Sequence, residues 1–111
     1  MKNFKLGILA EYLVSFLYRI RLYSILHHRM KTYVGEIDLV ALRGRQLVFI
    51  EVKARKYGLE EGTVSIHQQE RIKRSAELFL SKNLEYKNYD VRFDLVVVQP
   101  YKWPLIIKNA W

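Results

Sequence analysis

The stretch that decides the fold is Gly35-Glu-Ile-Asp-Leu-Val-Ala-Leu-Arg-Gly-Arg-Gln-Leu-Val-Phe-Ile-Glu-Val-Lys-Ala-Arg55, two apolar runs joined at Gly44-Arg45. Runs rich in Val, Ile and Phe around a glycine-bearing turn predict strands over Glu36 to Arg43 and Leu47 to Arg55. Glycine at the first central position suits a type II′ turn. That turn sets Arg43 against Gln46 and, counting back, Asp38 against Glu51 and Glu36 against Lys53. Strand alternation then puts these four charges on one face, with opposed Cβ atoms about 4.5 to 5.5 Å apart. Ile37, Leu39, Val48, Ile50 and Val52 take the other face. Two opposed carboxylates in a mostly buried place repel, and leaving both ionised without a partner costs several kcal/mol. Lys53 can neutralise one. A hard divalent cation takes both, at about 2.0 to 2.1 Å for Mg²⁺. The competing reading is a surface salt-bridge patch of Glu36, Lys53 and their neighbours, worth little either way.

Working outward, Leu9, Tyr12, Leu13, Phe16, Leu17 and Ile20 recur at helical spacing and predict a packed amphipathic helix over Phe4 to Arg21. Tyr23 to Thr32 reads as a first strand. Lys56 to Thr63, with two glycines and two glutamates, reads as a loop. Ser65 with Gln68 forms a capping-box pattern opening a second helix that ends near Asn83 and buries Ile72, Ala76, Phe79 and Leu80. Asp90 to Gln99 is a strand whose run of valines suits burial on both faces. Leu105 to Lys108 adds a short last strand after Pro100 and Pro104. The order αβββαβ, with a final β, predicts an α/β fold in which helices flank a mixed central sheet.

The 111 residues suit one domain, 1–111, large enough to hide about two thirds of the unfolded chain's surface. No cysteine is present, so disulfides and thiolate metal sites are excluded, and any metal would be held by oxygen or histidine. Nineteen Lys and Arg against eleven Asp and Glu give a net charge of +8, which favours a polyanionic partner. The N-terminal apolar stretch is broken by Glu11, and its uncharged run from Tyr12 to Tyr18 is seven residues, against the roughly 20 needed to cross a bilayer. No membrane association and a cytoplasmic location are the expectation.

The acidic residue on one strand, the Glu51-Val52-Lys53 triplet on the next and the preceding helix bearing Glu11 together resemble the PD-(D/E)xK nuclease superfamily. More narrowly, Gly35-Glu-Ile-Asp-Leu39, Leu47 to Lys53 with Arg55, Arg92-Phe93-Asp94 and the closing Ile107 to Ala110 resemble the small bacterial YraN-like (UPF0102) endonucleases, similar in pattern to the archaeal Holliday junction resolvases. The resemblance spans nearly the whole chain. It implies a restriction-endonuclease-like three-layer fold and Mg²⁺- or Mn²⁺-dependent cleavage of phosphodiester bonds, of DNA and with preference for structure, junctions included. Asp38 and Glu51 would hold the metal with the Val52 carbonyl, and Lys53 would orient or help deprotonate the attacking water. Glu11 would act as an outer ligand from the helix, and Glu36 as a further metal contact or the partner of Lys53. For Glu11, an ordinary exposed helix glutamate is the alternative from the sequence. The chain departs from the family pattern with Arg29 where an asparagine is common, with Gln68 where a lysine often opens the second helix, and with a shortened segment after Arg55. Ile37 stands where the superfamily's nominal motif has proline.

Arg55, Lys56, Gln68, Arg71 and Arg74 are the candidate nucleic-acid contacts, with Lys73 beside them; phosphate neutralisation by such residues makes affinity fall with salt. His27 and His28 are adjacent on a strand, point to opposite faces and do not readily share a metal. Arg92 and Asp94 share a face and pair structurally, while Tyr12 and Tyr18 suit core packing. The rival function is a catalytically silent nucleic-acid-binding module, which would gain by losing Asp38 and Glu51 because they repel phosphate. A third reading, a protein-docking edge or a homodimer interface, is supported by the aromatic Trp103 to Trp111 stretch.

Overall fold

The computed structural model describes residues 2–55 and 64–111; the predicted loop from Lys56 to Thr63 lies outside them. The elements are α1 (Lys2–Ile20), β1 (Ser24–Thr32), β2 (Gly35–Arg43), β3 (Gln46–Ala54), α2 (Ile66–Lys82), a 3₁₀ turn (Leu84–Tyr86), β4 (Asp90–Val98) and β5 (Leu105–Ile107). The predicted order holds, with the 3₁₀ turn added. One sheet runs β1-β2-β3-β4-β5, antiparallel throughout except between β3 and β4, which lie parallel because α2 carries the chain back across the sheet.

The hairpin turn is of the predicted type: Gly44 has φ +60 and Arg45 is not among the described residues of positive φ. Its register is also as counted, from Arg43 opposite Gln46 to Leu39 opposite Ile50. Helix α2 opens with the full capping box, Ser65 accepting from the Gln68 N–H and Gln68 accepting from the Ser65 N–H.

Two apolar layers make the α/β/α, restriction-endonuclease-like architecture. On one side of the sheet, Val14 and Tyr18 of α1 pack on Leu39, Ala41, Val48, Ile50 and Val96, with Val52 against them. On the other, Ile72, Ala76 and Phe79 of α2 pack on Val40, Leu47 and Phe49. Ile37, expected with Leu39, instead joins the α2 layer. The reason is the start of β2, which runs close against α2: a Cβ on Gly35 would lie 3.2 Å from Ser75 Oγ and 3.3 Å from Arg71 Cβ.

The predicted buried face of α1 is corrected. Leu9 and Phe16 are 65% and 59% exposed, Tyr12, Leu13 and Ile20 also face outward, and the face on the sheet carries Ala10, Glu11, Val14, Ser15 and Tyr18. Small residues let the helix approach, and Tyr18 reaches a polar partner inside, its hydroxyl donating to Asp94 Oδ2 at 2.7 Å. Tyr12 packs on the His28 ring at the surface rather than in the core. Among the described residues no helix is long and apolar enough to cross a membrane.

Candidate active site

The site arises where β2 and β3 part. Their ladder ends at Leu39–Ile50, so the expected direct oppositions of Asp38 with Glu51 and Glu36 with Lys53 are not ladder pairs. Alternation of hydrogen-bonded pairs would next give the Val52 N–H to the Ile37 carbonyl. Instead it donates to Asp38 Oδ2 at 2.7 Å, so the carboxylate itself wedges the fork open. Into that fork opens a cavity of about 340 Å³ lined by Gly35, Glu36, Asp38, Glu51, Val52, Lys53, Gln68, Arg71 and Ile72. Gly35 allows the close approach of α2 that brings Gln68 and Arg71 to the acidic strands. A larger cavity of about 430 Å³, between Met30 and Phe79, is lined by no carboxylate.

Glu51 is buried and its carboxyl pKa is pushed up to about 9 by burial first, then by the hydrogen bond and the charge of Asp38, against the lowering influence of Lys53. Lys53 Nζ stands 3.6 Å from Glu51 Oε2, so its partner is Glu51 rather than Glu36. Without a further cation, burial and the neighbouring Asp38 keep the Glu51 carboxyl protonated at neutral pH. A divalent ion replaces that proton naturally, and oxygen donors are what a hard ion takes. The residues therefore fit a metal. No three acidic or histidine side chains among the described residues gather closely enough to hold one between them. An ion here would rest on Asp38 and Glu51, with backbone and water oxygens completing its shell.

Glu36 lines the same cavity and is exposed. Glu11 does not line it. It is buried, contrary to an ordinary exposed glutamate, with Arg29 Nε 2.8 Å and His28 Nε2 3.5 Å from its Oε1. The Arg29 guanidinium pKa is raised above its usual value, first by the hydrogen bond to Glu11 and then by the charge of Glu11, with Glu36 and Asp38 adding to it. In the sequence alone Arg29 stands out only as a departure from the family pattern. Once the Tyr33–Val34 turn is placed, counting puts it opposite Asp38, between His28–Leu39 and Met30–Ile37.

Of the candidate nucleic-acid contacts, Gln68 and Arg71 are in the cavity wall and Arg55 follows the end of β3, its N–H held by the Val98 carbonyl. Arg74 lies apart, 3.7 Å from Glu70 and beside Tyr33 and Glu77, and Lys56 falls outside the described residues. His27 and His28 do point to opposite layers, the first edge-on to Phe79 and the second beside Tyr12. Asp94 is fully buried and takes Arg92 in a two-pronged contact at 2.8 and 2.9 Å, the structural pair expected of it.

Fold and fork together define a restriction-endonuclease-like α/β protein with an acidic, lysine-bearing pocket on one sheet face. The chain belongs to the family whose model is described as "Uncharacterised protein family UPF0102", which matches residues 10–98. It is 41% identical over 111 residues to a UPF0102 protein of Chelativorans sp. (strain BNC1), covering 99% of this chain and 90% of that one. A UPF0102 protein of Mesorhizobium japonicum is 39% identical over 111 residues, covering 99% of this chain and 89% of the relative. One from Maricaulis maris is 43% identical over 90 residues, covering 80% and 71%.

Proposed function

We propose that the chain is a Mg²⁺- or Mn²⁺-dependent endonuclease that hydrolyses phosphodiester bonds of DNA and selects its substrate by structure rather than base sequence. The observation that carries this is the meeting of Asp38 and buried Glu51 in one cavity with Lys53 and Arg71. A buried Glu51 whose carboxyl pKa is pushed up by burial and by Asp38 is unfavourable as a bare anion and suited to a cation. A bound divalent ion supplies an acidified water and neutralises charge developing on the phosphate. Asp38 and Glu51 would hold that ion, and the Val52 N–H fixes the Asp38 carboxylate. Lys53 orients the attacking water and steadies the phosphate oxygens. Arg71 and Gln68, brought in by α2, hold the backbone of the nucleic acid, and the overall charge of +8 draws it in. With Arg71 and Gln68 assigned to the backbone rather than to base edges, structure rather than sequence is the expected selector.

The test is cleavage of linear duplex, single-stranded and four-way-junction DNA with Mg²⁺ and Mn²⁺, wild type against Asp38→Asn. Metal-dependent cutting of any of these, lost in the variant, supports the reading. Salt-sensitive DNA binding with neither metal uptake nor cleavage would make the chain a silent binding module instead.

A further inference from the structure

Helix α1 has two apolar faces, and the sheet covers one of them. Ala10, Val14 and Tyr18 are buried on that side, while Leu9, Tyr12, Phe16 and Ile20 on the other are 59–65% exposed and Leu13 among them is 40% exposed. Leu9, Leu13, Phe16 and Ile20 follow one another at intervals of four, three and four residues, the spacing of a seam along which two helices pair. From Leu9 to Tyr18 the one charged side chain is Glu11, which is buried and held by Arg29. The open face is therefore an uncharged stripe on a chain of net charge +8. Its five side chains expose roughly 500–600 Å², at the top of what a monomer leaves open in one patch. With the rim around it, the face approaches the roughly 800 Å² that each partner of a stable complex buries.

The face also matches itself. Beside it, between α1 and the end of β4, lies a cavity of about 240 Å³ lined by Leu9, Ala10, Leu13, Val98, Gln99 and Pro100. A second copy laid antiparallel, with the twofold axis between Tyr12 and Leu13, brings Phe16 of each chain to Leu9 of the other, at the mouth of that cavity. A membrane surface suits the stripe less. Helices that lie among lipid headgroups carry Lys and Arg beside the apolar face, and α1 has neither from Leu9 to Tyr18.

We propose that α1 is a dimerisation helix: two copies of the chain pair antiparallel through Leu9, Tyr12, Leu13 and Phe16, with Ile20 at the rim and each Phe16 seated in the other copy's cavity. Helix α2, which walls the fork, packs on the opposite side of the sheet, so both fork cavities stay open in the dimer. Pairing of this kind is independent of whether the fork cleaves nucleic acid.

The experiment is sedimentation equilibrium of the full chain from about 1 to about 100 µM, where a dimer has twice the 13.3 kDa of one chain. Wild type is dimeric at the upper concentrations. Phe16→Glu keeps the wild-type circular dichroism spectrum and raises the dimer dissociation constant by about 100-fold or more, as loss of a central aromatic anchor does. Trp103→Ala, at an exposed aromatic outside α1, leaves that constant within about twofold. Because the chain has no cysteine, single substitutions also report the geometry. Leu13→Cys, beside the twofold axis, oxidises to a disulfide-linked dimer; Ile20→Cys, whose two copies stand about 22 Å apart along the helices at 1.5 Å per residue, does not. A wild type that stays monomeric at about 100 µM, a dimer indifferent to Phe16→Glu, or disulfide capture by Ile20→Cys in place of Leu13→Cys would each overturn the pairing. A monomer that instead sediments with phosphatidylglycerol vesicles, and loses them in Phe16→Glu, would assign the stripe to a membrane surface and overturn it as well.

Discussion

Two charged pairs of identical spacing lie on neighbouring parallel strands: Glu51-Val52-Lys53 on β3 and Arg92-Phe93-Asp94 on β4, in a register that sets Ile50 opposite Asp94 and Glu51 opposite Leu95. Their environments differ in one respect. Asp94 accepts from the Tyr18 hydroxyl, from Arg92 Nε and Nη2, and from the Asn109 N–H, so both its oxygens are occupied inside the core. Arg92 also reaches the Tyr23 hydroxyl, and its pKa is raised by the Asp94 contact. Glu51 has another carboxylate as its neighbour, an ammonium 3.6 Å away, and a cavity in front of it. A buried charge that the protein satisfies internally holds the structure together. One with a second carboxylate beside it and an opening in front is a candidate for meeting something that arrives from outside.

The largest expected effect tests the structural half of that contrast. Asp94→Ala strands Arg92 and the Tyr18 hydroxyl in the core, and breaking a buried pair from one side costs about 3–5 kcal/mol. Small domains have about 5–15 kcal/mol in all. Urea denaturation should show a midpoint far below wild type; a loss under about 1 kcal/mol would break the contrast, since Asp94 would then be no more structural than Glu51.

At the proposed site, Asp38 with Glu51 and Lys53, the expected loss falls on activity. Asp38→Asn keeps an oxygen for the Val52 N–H, and Lys53→Met keeps the stem of the side chain, so both should fold with melting temperatures close to wild type. Each should lower the single-turnover cleavage rate by about 10²–10³-fold, the usual consequence of removing one charge-stabilising group from an active site. Equal losses of stability and activity would mean that the fork is structural too.

A smaller effect separates the pairs by sign. The pKa of Glu51 is near 9 in the folded protein against an ordinary 4.5, so between these values the folded chain binds more protons than the unfolded one. Stability from this group is fully present below about pH 4.5 and is lost as pH rises toward 9. Glu51→Gln removes the loss. In EDTA it should be more stable than wild type by about 1–3 kcal/mol at pH 8, with the gap closing toward pH 4. Thermal melts from pH 4 to pH 9 read this directly, and a variant less stable than wild type at pH 8 would show that Glu51 is satisfied as Asp94 is.

The same contrast explains what was legible in the sequence. The hairpin register, the capping box at Ser65 and the Arg92–Asp94 pair are local: a turn residue, a cap and an i,i+2 spacing suffice to place them. The fork is not local. Counting from the turn put Asp38 and Glu51 together but could not show that the ladder ends at Leu39, because that depends on the Asp38 side chain taking the Val52 N–H in place of a backbone carbonyl. Arg29 was hidden for a related reason, its delivery to Glu11 requiring a backbone turn that arginine rarely takes. Helix α1 misled because Leu9 to Tyr18 is apolar nearly all round, so periodicity gave no unique face. The choice fell to close approach through Ala10 and Ser15 and to the hydrogen bond from Tyr18 to Asp94.

The smallest effect compares two arginines. Arg92 is spent inside the protein, whereas Arg71 is an exposed residue of α2 in the cavity wall. Arg71→Ala should leave stability within about 0.5 kcal/mol, as surface changes do. If Arg71 meets one phosphate, its loss should make the slope of log affinity for duplex DNA against log salt shallower by about 0.9. Fluorescence anisotropy across a salt series, in EDTA so that no cleavage intervenes, measures that slope. An unchanged slope with an unchanged melting temperature would place the nucleic acid elsewhere on the surface. The contrast would then hold for the carboxylates alone, with α2 serving only to wall the pocket.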